Sequence, residues 1–248
     1  MRTFAVAVTC AILVLSVVTG GWAKDIVSMP ETDMMRPGQF ELAYIYWDTD
    51  EAHLPGGATA MEHANVVEFF MGLTDRLEVD VIHVNPQGHF DTDAGDPFDT
   101  KTEINLYYKL YDETEKWPRV VVGATNITGS DWLPSHDSND PDGDRRVSPF
   151  VITSKVLRRP KHGPPNWDDP AVKLQLGYGV NYHGDHWFGI LQVALTPNVV
   201  VAWQHYRDQP GWLVGWNDEH GWGVHIGALG GDPWIHVCYD VKLSSLHF

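Results

Sequence analysis

Ala171-Val172-Lys173-Leu174-Gln175-Leu176-Gly177-Tyr178-Gly179-Val180 decides how the rest of the chain is read. Side chains on a β-strand alternate between two faces. Val172, Leu174, Leu176, Tyr178 and Val180 therefore share one face, and Lys173, Gln175, Gly177 and Gly179 the other. Thr102–Leu110 repeats the pattern, with Ile104, Leu106, Tyr108 and Leu110 against Glu103, Asn105, Tyr107 and Lys109. In Ile235–Leu243, Ile235, Val237, Tyr239, Val241 and Leu243 oppose His236, Cys238, Asp240 and Lys242. Leu77–His83 sets Leu77, Val79 and Val81 against Glu78 and Asp80, with Ile82 interrupting the polar face. None of these segments has apolar residues at the three- and four-residue spacing of a helix.

Extending the same test along the chain gives up to twelve strands, near 39–48, 61–71, 77–85, 101–111, 119–127, 148–157, 171–181, 187–195, 199–207, 211–217, 222–229 and 234–243. The last ones are short and glycine-rich, which lowers the bound to ten. Short connections rich in Asp, Asn, Pro and Gly fall at 72–76, 112–118, 196–198 and 217–221. They alternate with longer ones at 49–60, 86–100 and 129–147. Arg158–Pro170 breaks the rule, being long where a short turn is due.

Composition narrows the class. The 248 residues carry 33 acids against 17 bases, a net charge of −16, which argues against binding nucleic acid through its phosphates. Arg2, the apolar run Phe4–Val18 and Gly21-Trp22-Ala23 match a secretory signal peptide cut after Ala23. The mature domain is then 24–248. Cys10 lies in that leader, so Cys238 is left without a disulfide partner within the mature chain. An exported chain with strands of period two and no further apolar span fits an antiparallel, up-and-down transmembrane β-barrel of ten to twelve strands. Eleven Trp and nine Tyr fit as well. They gather at strand ends: Phe40, Tyr46, Trp47, Tyr107, Tyr108, Tyr111, Trp117, Tyr178, Tyr182, Trp187, Phe188, Trp203, Tyr206, Trp212, Trp216, Trp222, Trp234 and Tyr239. Amphipathic rings suit the headgroup level of a bilayer. Phe248 supplies the terminal aromatic that barrel-assembly machinery reads, and a bulge near Ser244 would bring it into phase. The rival fold is a soluble, Trp-rich carbohydrate-binding sandwich, in which the apolar faces bury each other.

Gly72-Leu73-Thr74-Asp75-Arg76-Leu77-Glu78-Val79 resembles a turn-and-strand phrase of bacterial outer-membrane barrels, in particular the YjbH-like family and barrels linked to transport in aromatic degradation. Arg36-Pro37-Gly38-Gln39-Phe40-Glu41-Leu42, Asn105–Leu110 with Glu113-Thr114-Glu115-Lys116-Trp117-Pro118, and Leu176-Gly177-Tyr178-Gly179 are similar to the YjbH-like layout. The resemblance implies a barrel in the outer membrane and a link to exopolysaccharide production. It transfers no catalytic residue.

The chemistry expected of such a barrel sits on its inner face, where the alternation places Glu41, Glu78, Asp80, Lys101, Glu103, Asn105, Lys109, Lys173, Gln175, Gln192, Gln204, His225, His236, Asp240 and Lys242. Mixed charges there either line a narrow pore or pair across it and plug it. If it conducts, the excess of acids implies a weak preference for cations or neutral polar solutes, while polysaccharide as a partner is what the YjbH-like resemblance implies. His136-Asp137-Ser138-Asn139 matches the His-x-Ser-Asn phrase of outer-membrane lipid esterases, but it lies between Pro134 and Pro141, where spacing by two fixes no common face. Asp137, Asn139, Asp140, Asp142 and Asp144 offer oxygen ligands for a loop calcium. No other cofactor is expected. Of the thirteen His, His183 and His186 lie closest together, with His205, His220, His225 and His236 following. None has a helical metal spacing, so they are read as interfacial or luminal polar groups and no metal is assigned. Cys238 is given no role. The expected function is a small passive channel or a barrel assisting export, and not an enzyme.

Overall fold

The structure, a computed structural model, describes residues 32–48, 61–88, 101–128, 147–180, 187–206 and 209–242. Its twelve strands are β1 (Gln39–Asp48), β2 (Met61–Gly72), β3 (Leu77–Gly88), β4 (Lys101–Tyr111), β5 (Arg119–Thr125), β6 (Ser148–Arg158), β7 (Ala171–Gly179), β8 (Trp187–Ala194), β9 (Val199–Tyr206), β10 (Gln209–Asn217), β11 (Trp222–Leu229) and β12 (Asp232–Lys242). Each pairs antiparallel with its chain neighbours, and β1 pairs with β12 from Gln39↔Lys242 to Trp47↔Trp234, which closes the ring. Among the described residues there is no helix. Closure rules out the open-edged sandwich. The leader 1–23, the phrases at 136–144 and 183–186, and the terminal Phe248 lie outside the described residues.

One end of the barrel carries the compact turns, which share a device. A side-chain oxygen at the first turn residue accepts backbone N–H groups two to four residues on, the behaviour that makes Thr and Asp turn formers. Thr74 Oγ1 accepts from Arg76 and Leu77, Thr114 Oγ1 from Trp117, Thr196 Oγ1 from Asn198 and Val199, and Asp218 Oδ1 from His220 and Trp222. The long 158–170 connection is a knot of the same kind at this end. Asn166 and Asp169 form a bridge, and Asp169 accepts from Arg158 (2.8 Å) and from the Lys161 amide (2.5 Å). That amide first, and Arg158 second, hold the Asp169 carboxyl below the usual carboxylate range. Arg159 reaches across to Glu113, so the connection leans on the β4–β5 turn. At the opposite end, Gly230 and Gly231 make the β11–β12 hairpin with φ of 65° and 111°, the left-handed pair such a two-residue turn requires.

Side chains sort as an inside-out molecule. Leu42, Tyr44, Val151, Leu176, Leu191, Trp203, Trp212, Val214, Ile226 and Ile235 are exposed on the outer face. Glu41, Asp80, Asn105, Gln175, His225 and His236 are buried on the inner one. The interior is not polar throughout. Ile45, Trp47, Ile152, Phe188, Ile190, Tyr206, Leu213 and Trp234 belong to one apolar cluster inside the ring, and Ile82 packs against it. So Trp47, Tyr107, Phe188, Tyr206 and Trp234, which sequence places at the interfaces, are buried instead.

Strict alternation sends those rings inward, and glycines on the adjacent strand make room. Gly123 faces Phe150, Gly177 faces Phe188 and Gly227 faces Trp234 across the ladder. A Cβ at Gly177 would stand 2.4 Å from two Phe188 ring atoms. Gly177→Val will therefore cost about 1–3 kcal/mol by overpacking. In a Phe188→Ala background most of that cost will vanish, as chemical unfolding of both variants in detergent will show. An equal cost in both backgrounds would refute the contact as its cause.

Candidate functional site

Six carboxylates, Asp240, Glu41, Glu68, Glu78, Asp80 and Glu103, are buried on the inner face of the contiguous strands β12, β1, β2, β3 and β4. Register brings them into reach of one another: Glu41 pairs with Asp240, Glu78 lies two residues from Asp80, and Asn105 Nδ2 donates to Asp80 Oδ2 at 2.8 Å. Glu68 was missed in the sequence because Glu68-Phe69-Phe70 hides its alternation. On the arc from β6 to β10 the buried polar groups are neutral: Ser148, Ser154, Gln175, Gln192, Gln204 and Asn217.

Of the bases that alternation assigns to the inner face, Lys109, Lys173 and Lys242 stand at the turn end, as does Arg119, whereas Lys101 opens β4 at the opposite end. Lys109 pairs with Asp112 at 2.8 Å, and that bond, ahead of burial, sets the Asp112 carboxyl, whose pKa is lowered. Arg119 begins β5, and Lys173 is the third residue of β7. Lys101 and Lys242 occupy β4 and β12 in register with Val84 and Gln39.

Arg119 and Lys173 do not reach the acidic arc. They hold residues 32–38, which precede β1 and run across the turn-end mouth. Thr32 is fully buried, and its N–H and Oγ1–H both donate to Gln175 Oε1 (3.0 and 2.7 Å). Arg119 Nη1 donates to the Thr32 carbonyl (3.2 Å) and pairs with Asp33 Oδ1 (2.8 Å). Lys173 Nζ pairs with the other Asp33 oxygen. Nearer β1, the Met35 amide donates to Glu78 Oε2 (2.5 Å) and Pro37 bridges to Gly72. β7 lies six strands from β1 in the ring of twelve, so the strap spans the barrel from one wall to the wall opposite. The seven residue steps from Thr32 to Gln39 can stretch about 23 Å. The strap backbone lies directly on Gly72: a Cβ there would meet the Arg36 carbonyl oxygen at 2.3 Å and that of Met35 at 2.4 Å. Nothing in Thr32–Gly38 has a period, so the sequence marks only Arg36-Pro37-Gly38, as part of a resembling phrase, and gives the stretch no role.

A second gathering sits in the wall of β11 and β12. His225 and His236 face each other across the ladder, with Nδ1 atoms 2.9 Å apart, and Cys238 follows His236 on the same face. Sequence had spread these histidines over separate strands and set the cysteine aside.

No family model matches the chain, and no curated protein matches it. Among solved structures it overlaps a KdgM porin with a TM-score of 0.48 at 10% identity, covering 84% of this chain and 99% of that one. It also overlaps the COG4313 outer membrane channel from Pseudomonas putida F1 with a TM-score of 0.40 at 13% identity, covering 87% and 99%.

Proposed function

We propose that the chain is an outer-membrane barrel with a narrow, cation-preferring lumen whose turn-end mouth is closed by the 32–38 strap. Membrane insertion is supported by the outer face. A ring of exposed Leu, Ile, Val, Trp and Tyr side chains exceeds what a monomer tolerates in water, whereas a bilayer solvates it. The leader at 1–23 supplies the export route in this reading, and the compact turns face the periplasm.

The observation that carries the function is the one-sided charge of the interior. Six buried carboxylates on neighbouring strands create a negative potential focused by low-dielectric walls, which draws in cations and repels anions. The apolar cluster around Ile45, Ile152 and Leu213 occupies part of the interior and narrows the bore. A YjbH-like affiliation and a part in exopolysaccharide export rest on the short phrases quoted above. The esterase alternative rests on His136 and Ser138.

Reversal potential in planar bilayers under a salt gradient tests the reading. The expected sign is that of cation preference, reduced when Glu41 and Glu103 are both replaced by Gln. Anion preference, or no conductance from either the intact or the strap-released chain, would refute it.

A further inference from the structure

We propose that His225, His236 and Cys238 form a binding site for a borderline-to-soft transition-metal ion, of the zinc class, in the inner wall of the barrel. One ligand atom from each of the three lies within 4.8 Å of the others, and all three side chains are buried. The arrangement follows from pleat and register: a cross-strand pair supplies two imidazoles, and the residue two beyond His236 adds a sulfur on the same face.

The surroundings fit such an ion. Asn217 Oδ1 lies 2.9 Å from His225 Nε2. An Nε2–H donated to that oxygen leaves the His225 Nδ1 lone pair directed at His236, the way an outer partner orients a metal-binding histidine. The two Nδ1 atoms, 2.9 Å apart, need to separate only slightly to share a tetrahedral ion, whose nitrogen ligands stand roughly 3.3 Å apart. His236 Nε2, buried with no hydrogen-bond partner, is the ring nitrogen that takes the proton displaced from Nδ1 on binding. Small residues keep the site open. Gly215 faces His225, where a Cβ would meet the ring at 2.4 Å, while Gly223 and Ala43 flank Cys238. Asp240, the next inner-face residue of β12, and Glu41 beside it raise the local concentration of cations.

Imidazole with thiolate selects zinc or monovalent copper over calcium and magnesium. On binding, Cys238 gives up its thiol proton and the proton between the imidazoles moves to the far side of one ring. The site requires a folded barrel but not an open one, so it stands or falls independently of conduction.

The test uses the full chain with Cys10→Ser, so that Cys238 is its sole thiol, folded in detergent and checked by migration in unheated gels. Zn²⁺ is titrated against a chromophoric chelator, and Co²⁺ is added as a spectroscopic probe. One Zn²⁺ per chain and a thiolate-to-cobalt absorption band are expected. Cys238→Ser should abolish the band and weaken Zn²⁺ binding more than tenfold, and Asn217→Ala should weaken it about 10–100-fold while keeping the band. A folded chain that gives no thiolate band, or a band that survives Cys238→Ser or Cys238→Ala, overturns the site.

Discussion

Releasing the strap will raise single-channel conductance several-fold. The variant is Arg119→Met with Lys173→Met, which keeps two long side chains at the mouth and removes the Arg119 and Lys173 charges that pair with Asp33. Among the described residues, the far end of the strap then keeps the two Thr32 bonds to Gln175. Those neutral bonds are worth about 1 kcal/mol each, so the far end should detach for a measurable fraction of time. Cation preference should rise at the same time, because two positive charges leave the lumen. Gly72→Ala provides an independent route, since its methyl group collides with strap backbone and touches no charge. Planar-bilayer recordings of both variants decide the matter. Conductance identical to the intact chain in both would mean that the strap does not limit flow.

Leu176→Lys will destabilise the barrel by about 2–4 kcal/mol in lipid. Leu176 is 49% exposed, lies within β7, and rests over Gly189, whose Cβ position is 3.0 Å from Leu176 Cδ2. In water a Leu to Lys change at so exposed a site would be close to neutral. In a bilayer the ammonium loses its hydration near the midplane. The penalty should shrink to about 0–1 kcal/mol for Tyr178→Lys, near the strand end, where the charge reaches the interface. Denaturant unfolding in lipid vesicles, followed by tryptophan fluorescence, measures both. A neutral Leu176→Lys, or an equal cost at the two positions, would remove the bilayer from the account of the outer face.

The strands were legible because their period survives in single segments. Ala171–Gly179, Lys101–Tyr111 and Asp232–Lys242 each declare two faces without help from any partner. Their limits were less so. β3 runs on to Gly88 through Pro86, β10 starts at Gln209 ahead of Pro210, and β12 starts at Asp232 ahead of Pro233. Each reaches past a proline that lies outside the strand bounds read from alternation. Near a strand end its missing N–H interrupts the ladder least, so pairing continues past it. β2 also runs one residue further, to Gly72, while β5 and β7 stop at Thr125 and Gly179. The 158–170 connection was opaque because its order comes from Asp169 folding back on Arg158 and Lys161, which has no periodic signature.

By itself the sequence determined the barrel class, the sorting of most polar residues onto one face, and the likeness of Gly72–Val79 to known turn phrases. Alternation is a property of consecutive residues, and period two needs no tertiary information. The ring of twelve was decided by the structure, because closure depends on β1 and β12, about two hundred residues apart in sequence, finding one register. So was the burial of Trp47, Phe188 and Trp234, since a ring can turn inward only where a neighbouring strand or the lumen offers space. The strap and the His225–His236–Cys238 cluster belong there too. Thr32 meets Gln175 across 143 residues, and His225 meets His236 through a hairpin whose pairing fixes the contact. Such meetings are set by register and ring geometry, which no local pattern encodes.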